Sequence, residues 1–255
     1  MMSVRDLSFS YGQTPLFSGI GFDLDRPELV CILGPNGVGK TTLVKCLNRL
    51  LRPTGGTVLL DGTDLSGMRL MDVARKMAFV PNHATTTFRT TVSETVLMGR
   101  FPHAQWSTSD EDLDIVDSII TRMDLQDLSD KDLGELSSGQ LQRVMIARGL
   151  AQQPEILILD EPTSNLDVKN QMDVMRFLRE YARENGVIVL MVCHDLNITS
   201  AFADRIIMMC DGGIIADGTS HEVMTESNIS TVYGVRSKVI DVEGSPHVIL
   251  LPEVD

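Results

Sequence analysis

The sequence contains no apolar run long enough to cross a membrane. Its longest charge-free apolar run, Gly186 to Cys193 (GVIVLMVC), is far shorter than the roughly 18 residues that a spanning helix needs. The first residues, MMSVRDLSFSYG, also lack the basic segment, apolar stretch and cleavage site of a secretory signal. These absences predict a protein that does not cross a membrane itself and that stays inside the cell.

Cysteine is scarce, and its spacing argues against two kinds of site. The four cysteines are far apart and form no CxxC pair: Cys31, Cys46, Cys193 and Cys210. This spacing indicates neither a disulfide framework nor a cysteine metal motif. Since each cysteine lies in an apolar stretch, we predict buried, reduced thiols without a functional role.

Basic residues are too few for a broad positive surface. Lys and Arg number 22 against 35 Asp and Glu, which gives a formal net charge of −13 and a pI of about 4.7. This balance argues against binding to nucleic acid or anionic lipid through a basic face. Solubility is the simplest explanation of the acidity, and contact with a basic partner protein is also compatible with it.

Length and composition predict one large globular domain. The chain has 255 residues, of which 43% are apolar and 22% charged, and these are ordinary proportions for a globular protein. No internal repeat or low-complexity linker divides it. We therefore expect one domain, or a core with a smaller lobe, rather than an array of modules.

Apolar patterns along the chain predict an α/β core with a mainly parallel sheet. A compact run at Leu29 to Leu33 enters a Gly-rich turn and a helix that begins near Gly39. This order of strand, loop and helix is typical of nucleotide-binding units, and strands separated by helices indicate parallel pairing. Further core strands are predicted at Met77 to Val80, Ile156 to Leu159, Val187 to Val192 and Arg205 to Met209.

Other patterns flank this core. Apolar residues that alternate loosely before residue 29 predict short antiparallel strands, and residues 54–66 are typical of a hairpin with an Asp-Gly turn. Strand patterns disappear between 88 and 150, where a capping box at Thr91 to Glu94 indicates helices. A late strand is predicted at Val248 to Leu251.

These patterns give a single domain, residues 1–255, with four parts. The helical part is an insertion, because strand patterns occur on both sides of it. The parts are an antiparallel β region at 1–28, a nucleotide-binding core at 29–87 and 153–220, a helical insertion at 88–152 and a C-terminal extension at 221–255.

A glycine-rich segment after the first core strand predicts a phosphate-binding loop. GPNGVGKT, from Gly34 to Thr41, matches the pattern GxxxxGK[ST], in which backbone N–H groups and a helix N-terminus surround phosphate oxygens. Lys40 would reach the terminal phosphates of ATP, and Thr41 would ligate Mg²⁺. The other predicted nucleotide contacts of this segment are Gly34, Asn36, Gly37, Gly39 and Thr42.

A second motif supplies two adjacent carboxylates. ILILDEP, at residues 156–162, is a buried strand that ends in Asp160 and Glu161, whose side chains alternate in direction. Asp160 would hold Mg²⁺ through water, and Glu161 would orient an attacking water. Alone, the pair is more simply explained by helix capping. Because it lies downstream of a phosphate loop, however, we interpret the pair as catalytic.

The segment LSSGQ, at Leu136 to Gln140, resembles the signature LSGGQ of ABC ATPases. Gln142 and Arg143 continue the usual pattern of that family. Taken alone, Ser137 and Ser138 are also consistent with capping the next helix. The motifs follow one another in the order of the family, and the resemblance covers nearly the whole chain.

Three further positions extend the resemblance, and a fourth departs from it. The segment SNLD, at Ser164 to Asp167, is similar to the D-loop of the family. His194, in VCHDLN, resembles its switch histidine, and Tyr11 resembles its A-loop aromatic. Tyr11 alone is equally consistent with a packed aromatic. Asn82 lies where the family usually has a Q-loop glutamine. The asparagine side chain keeps the amide of glutamine but is one methylene shorter, and its carbonyl would still contact Mg²⁺ or water.

The resemblance implies a P-loop NTPase fold, with a RecA-like core, an antiparallel β-subdomain and an inserted helical subdomain. It implies a head-to-tail homodimer that holds two ATP molecules, each bound by one subunit and capped at its γ-phosphate by Ser137 and Gly139 of the other. The implied catalytic residues are Lys40, Glu161 and His194; further nucleotide contacts are Tyr11, Asn82, Ser137, Gly139, Gln140 and Asp167; and the Mg²⁺ site is Thr41, Asn82 and Asp160.

The resemblance also implies partners. Multi-span permease subunits would hold the ATPase at the cytoplasmic face of the cell membrane, and a substrate-binding protein would act with them. The segments at 91–103 (TVSETVLMGRFPH) and 218–225 (GTSHEVMT) resemble ATPases of importers for iron chelates, haem or cobalamin. A molybdate or tungstate importer is the alternative. A nucleic-acid or ribosome partner is not expected, because tandem ATPase domains, long coiled-coil inserts and zinc cysteines are absent from the sequence.

Overall fold

The computed structural model describes residues 1–82, 89–103 and 108–252. The predicted boundary between 87 and 88 and the predicted end at 255 lie outside these residues. A central sheet contains six strands: β3 (Leu29–Leu33), β6 (Met77–Val80), β7 (Ile156–Asp160), β8 (Ile188–Val192), β9 (Arg205–Cys210) and β10 (Gly213–Gly218). Their spatial order is β10-β9-β3-β8-β7-β6.

The predicted parallel sheet is confirmed, with β10 as its one antiparallel strand among the described residues. In the register, Cys31 lies opposite Met191, and Leu157 lies opposite Val189. The strands β3, β7 and β8 are buried at every position because both faces of the sheet are covered. Parallel strands end at a common edge, so the loops that follow β3, β6, β7 and β8 meet there.

Alternate residues of the central strands pack into two separate apolar clusters. Cys31 and Leu33 belong to one cluster, together with apolar residues of the helical insertion. Val30 and Ile32 belong to the other cluster, together with apolar residues of the N-terminal strands such as Val4. Since side chains alternate across a strand, each cluster lies on one face of the sheet, and the protein has three layers.

A second sheet is antiparallel and larger than the sequence indicates. Its strands are paired in the order β2-β1-β4-β5: β1 (Met2–Tyr11), β2 (Thr14–Leu24), β4 (Gly55–Leu60) and β5 (Thr63–Asp64).

The assignment of residues 54–66 to the core is therefore wrong. The hairpin itself forms, with Asp61 and Gly62 at φ of 50° and 77°, as a two-residue hairpin turn requires. The buried side chain of Val58 lies opposite Val4 of β1, so tertiary packing, which no local pattern reports, places β4 in this sheet.

Helices and a small hairpin cover the sheets. The helices outside the insertion are α1 (Lys40–Leu47), α2 (Leu70–Lys76), α6 (Val168–Asn185), α7 (Leu196–Phe202), α8 (Ser220–Val223) and α9 (Glu226–Tyr233). Within the described part of the chain, no helix combines the length and the apolar character needed to span a bilayer.

The predicted late strand is one arm of a C-terminal hairpin, formed by β11 (Ser237–Val242) and β12 (Ser245–Leu250). The side chain of Asn197 in α7 anchors it, because its amide donates to the carbonyl of Val248 at 3.2 Å and accepts from the Val248 N–H at 2.7 Å. β11 was not predicted, since Ile240 and Val242 are exposed and give no clear buried face.

The helical insertion contains α3 (Val92–Leu97), α4 (Asp110–Arg122) and α5 (Ser138–Ala151). The capping box predicted at the start of α3 is confirmed: Thr91 Oγ1 accepts from the Glu94 N–H at 3.2 Å, and the Glu94 carboxylate accepts from the Thr91 N–H at 2.8 Å. A buried ion pair between Arg100 and Asp112, 2.8 Å long, joins the turn that follows α3 to α4. Hydrogen bonds from Arg100 and Ser109 lower the pKa of Asp112 to about 2.

Gly99 lets the end of α3 pass close to α5. A Cβ atom at Gly99 would lie 2.2 Å from the carbonyl oxygen of Arg148. We therefore expect Gly99→Ala to lower the free energy of unfolding by about 1–3 kcal/mol, because the backbones must separate. Urea denaturation would measure this loss. Gly134→Ala is the control, since a Cβ there meets no atom within 4 Å, and equal stability of the two variants would contradict the prediction.

Candidate functional site

The predicted phosphate loop connects β3 to the start of α1. Gly34, Gly37 and Gly39 have φ of 152°, 84° and 103°, in the region that favours glycine. A Cβ atom at Gly34 would also lie 2.3 Å from the carbonyl oxygen of Met209. Gly39 is the N-cap of α1 and offers no side-chain cap. The first N–H groups of α1 are thus left for a ligand with negative oxygens.

Lys40 is held against this loop. Its side chain is buried, and its Nζ donates to the carbonyl oxygens of Gly34 at 2.7 Å and Pro35 at 2.9 Å. Burial lowers the pKa of Lys40, although the carboxylates of Glu161 and Asp160 oppose this shift. The ammonium group is therefore positioned at the root of the loop, where phosphate oxygens would be stronger acceptors than the two carbonyls.

Thr41 and Asp160 form a pair of oxygen ligands at the same edge of the sheet. Thr41 Oγ1 donates to Asp160 Oδ1 at 2.8 Å, and Asp160 is only 4% exposed. Burial raises the pKa of Asp160, against the effect of the Thr41 hydrogen bond.

This pair fits Mg²⁺ as a cofactor. Within the described residues, no group of three or more His, Cys, Asp or Glu side chains forms an all-protein metal cage. Mg²⁺ commonly binds through one or two protein ligands together with phosphate and water oxygens, and the hydroxyl of Thr41 and the carboxylate of Asp160 are hard oxygen donors of that kind.

Glu161 directly follows Asp160, and its carboxylate contacts two other residues. Its backbone has a φ of 53°, which is uncommon for a residue with a side chain and common at functional sites. Its Oε1 lies 2.5 Å from Nε2 of His194, and its Oε2 accepts from Nδ2 of Asn82 at 3.0 Å. Asn82, Glu161 and His194 follow the adjacent strands β6, β7 and β8, so the sheet itself brings these three residues together.

Tyr11 forms part of the wall of a cavity of about 260 Å³ over the phosphate loop. Its hydroxyl lies 3.4 Å from Oγ1 of Thr42, and its ring packs edge-on against Phe9 with centroids 4.9 Å apart. Even so, 60% of its surface is exposed. The cavity is also lined by Asn36, Gly37, Gly39, Lys40, Thr41 and Glu161.

The signature residues do not line this cavity. Ser137 is the N-cap of α5, where its Oγ accepts from the Gln140 N–H at 3.3 Å and its own N–H donates to Oε1 of Gln140 at 3.0 Å. Gly139 lies against Leu166, where an added Cβ would meet a side-chain carbon at 3.3 Å. Within one chain, these signature residues therefore form a helix start outside the cavity, exposed at Ser137 and half-buried at Gly139 and Gln140.

Asp167 likewise lies outside the cavity, as the N-cap of α6. Its carboxylate accepts from the N–H of Asn170 at 2.8 Å and from Nδ2 of Asn170 at 2.9 Å. Arg143 of α5 donates to Oδ1 of the same asparagine at 2.7 Å. The start of α6 is thereby joined to the signature helix.

Ser164 is a site residue that the sequence analysis missed. In the sequence, Ser164 is only the first residue of the D-loop-like segment SNLD. In the structure, its Oγ donates to Oδ1 of Asn82 at 3.0 Å. Its position three residues after Glu161 could have suggested a turn in which the serine hydroxyl bonds nearby groups. The partner Asn82 could not have been found in this way, because it lies on a distant loop.

Comparisons with known proteins agree with this geometry. The ABC transporter family matches residues 17–164, more than half of the chain. An ABC transporter ATP-binding protein of Methanocaldococcus jannaschii is 41% identical over 249 residues, covering 98% of this chain and 97% of that protein. The ferric enterobactin transport ATP-binding protein FepC of Escherichia coli is 36% identical over 253 residues, covering 97% and 93%.

Solved structures give the same result. The structure of an inward-facing metal-chelate type ABC transporter matches with a TM-score of 0.84 and 26% identity, covering 99% of this chain and 97% of that one. A dimeric bacterial ABC transporter cassette matches with a TM-score of 0.77 and 27% identity, covering 86% and 98%. By its motifs, its fold and these relatives, the chain belongs to the ABC transporter family, as one of its ATP-binding proteins.

Proposed function

We propose that this chain hydrolyses ATP as the nucleotide-binding subunit of an ABC importer. The observation that carries the proposal is the fixed carboxylate of Glu161, which lies between His194 and Asn82 on the wall of the cavity over the phosphate loop. Phosphoryl transfer to water depends mainly on positioning the reactants and neutralising the phosphate charge. This cavity is lined both by a carboxylate, Glu161, that can position water and by a cation, Lys40, that can neutralise charge.

The binding half of the site is assigned to the loop and the first turn of α1. Gly34, Asn36, Gly37, Gly39 and Thr42 surround the phosphates through backbone and side-chain groups, with Lys40 as the cation and Tyr11 against the base. Thr41 and Asp160 would hold Mg²⁺, and Asn82 would contact the metal or its water. When bound, Mg²⁺ would neutralise phosphate charge.

The catalytic half is assigned to Glu161 and His194. The carboxylate of Glu161 accepts a hydrogen bond from the attacking water and orients it toward the γ-phosphate. Nε2 of His194 lies 2.5 Å from that carboxylate. The ring of His194 would donate a hydrogen bond to the γ-phosphate.

A second copy of the chain completes the site. Ser137, which is exposed, and the half-buried Gly139 and Gln140 lie at the start of α5 and outside the cavity of their own chain. An exposed helix N-terminus is a suitable site for the γ-phosphate of another subunit. The match to a dimeric cassette supports a homodimer. We assign it a head-to-tail arrangement, in which Asp167 would also lie close to the shared nucleotide.

We assign the permease contact to an exposed apolar surface next to the helical insertion. Leu70 of α2 is 67% exposed and Phe101 is 69% exposed, and Met98 is exposed as well. Arg75 of α2 donates to the carbonyl of Pro102 at 2.9 Å, which holds the two segments side by side. Such a surface suits a membrane subunit, which would place the ATPase at the cytoplasmic face of the cell membrane.

The proposed cargo is an iron chelate, haem or cobalamin. The relative FepC, a ferric enterobactin transport ATP-binding protein, supports the first of these. A substrate-binding protein would deliver the cargo to the permease. A molybdate or tungstate importer is the alternative reading of the same ATPase.

The test has two parts. Purified chain with ATP and Mg²⁺ should release phosphate, and EDTA should stop the release; no hydrolysis by the chain alone or with its permease would overturn the proposal. The transporter reconstituted in vesicles should then take up at least one of a ferric siderophore, haem and cobalamin. Uptake of molybdate or tungstate alone would overturn the cargo assignment and leave the ATPase assignment in place.

A further inference from the structure

Both ends of the Asn82 amide are engaged. Its Nδ2 donates to Oε2 of Glu161 at 3.0 Å, and its Oδ1 accepts from Oγ of Ser164 at 3.0 Å. The other carboxylate oxygen of Glu161 lies 2.5 Å from His194. Each oxygen of the carboxylate is therefore held by a different side chain, and one of these two side chains is itself held by Ser164.

The main chain fixes Ser164 relative to Glu161. The Ser164 N–H donates to the carbonyl oxygen of Glu161 at 3.2 Å, and the Ser164 hydroxyl lies 3.1 Å from the same oxygen. Glu161, Asn82 and Ser164 thus form a closed ring of contacts, from carboxylate to amide to hydroxyl and back to the backbone of Glu161. A short turn of this kind leaves the hydroxyl little freedom.

We infer that Ser164 is a positioning residue for the Glu161 carboxylate and acts on it through Asn82. An asparagine amide has one donating end and one accepting end. The negative carboxylate of Glu161 selects the donating end of the amide, because a reversed amide would direct its oxygen at that carboxylate, and donation from Ser164 to Oδ1 restrains the accepting end. This inference rests on the proposed function, since it concerns the rate at which Glu161 acts.

The effect should fall on turnover and not on ATP binding. Neither Ser164 nor Asn82 lines the cavity over the phosphate loop among the residues described, whereas Glu161 does. A carboxylate that rotates loses its alignment with the attacking water, and small errors of position are costly in catalysis. We expect Ser164→Ala to lower kcat roughly tenfold while KM for ATP stays within about twofold.

The experiment compares Ser164→Ala with Ser164→Thr, which keeps the hydroxyl, in steady-state ATP hydrolysis. The threonine variant should recover most of the lost kcat. The alanine change is also made in an Asn82→Ala background, where it should have no further effect because its partner is gone. Binding of a fluorescent ATP analogue and thermal unfolding of each variant report whether the site and the fold persist; Ser164 is exposed, so both should be unchanged.

Three kinetic results would overturn the inference. They are a kcat of Ser164→Ala within twofold of wild type, an equal loss of kcat in Ser164→Thr, or a further loss from the alanine change in the Asn82→Ala background. A loss of nucleotide binding or of stability in Ser164→Ala would also overturn it, in favour of a structural role. A wild-type chain that hydrolyses no ATP would instead overturn the proposed function.

Discussion

Replacement of Glu161 by glutamine is expected to lower kcat for ATP hydrolysis by roughly 100-fold or more while ATP still binds. Glutamine has nearly the same shape but no negative charge, so it is a weak acceptor for the attacking water. Its side chain would also direct an NH₂ group either at the Nδ2 of Asn82, from which the carboxylate now accepts a hydrogen bond, or at the neighbouring Nε2 of His194. At Asn82 this NH₂ group would face another N–H group, and the side chain of the new glutamine would therefore be held less firmly than the carboxylate is.

The measurement is phosphate release under saturating ATP, with dimer formation followed by light scattering. The variant should stay dimeric in ATP, because the nucleotide that joins the subunits is not consumed. Glu180→Gln, at an exposed position of α6, is the control for loss of one negative charge. Undiminished hydrolysis by the Glu161 variant would remove Glu161 from the catalytic role.

Replacement of Lys40 by alanine is expected to weaken ATP binding by roughly 10- to 100-fold. The side chain is 5% exposed, and its ammonium donates to two loop carbonyls, so it is the cation already present where the phosphates would lie. Alanine removes the charge and leaves the carbonyls of Gly34 and Pro35 without this donor. The loop would then present lone pairs, rather than an ammonium group, to an anionic ligand.

Titration calorimetry with ATP and Mg²⁺ would measure this loss. Lys238→Ala, an exposed change on the C-terminal hairpin, controls for net charge, and circular dichroism checks that the fold persists. Equal affinities for ATP in the two variants would contradict the assignment of Lys40 to the phosphates.

Local patterns predicted much of the fold, because they report on neighbouring residues. The run Leu29 to Leu33 is buried at every position, as a central parallel strand must be. The capping box at Thr91 depends on two residues in one turn. The position of β4 could not be predicted, since its partner strand is decided by packing between Val58 and Val4, which are far apart in sequence.

The same distinction applies to the candidate site. Motif spacing named Lys40, Thr41 and Asp160, and each of these follows directly from a strand or a loop of fixed pattern. No residue type indicated the positive φ of Glu161, because glutamate seldom adopts it. The bond between Asn82 and Ser164 depends on how two loops meet, and the roles of Ser137 and Gly139 depend on a second subunit, so these roles are still predictions.

Asn82, Glu161 and His194 follow three neighbouring strands of the central sheet. Their mutual distances are therefore set by strand register, and register is set by the apolar side chains that interlock inside the sheet. The packing of the buried strands therefore sets the distances between the three side chains at the edge of the sheet. Evolution can thus retune the rate of this ATPase through substitutions at the apolar residues 156–159 of β7, which do not line the cavity over the phosphate loop, and a search for rate-altering variants should include those buried positions.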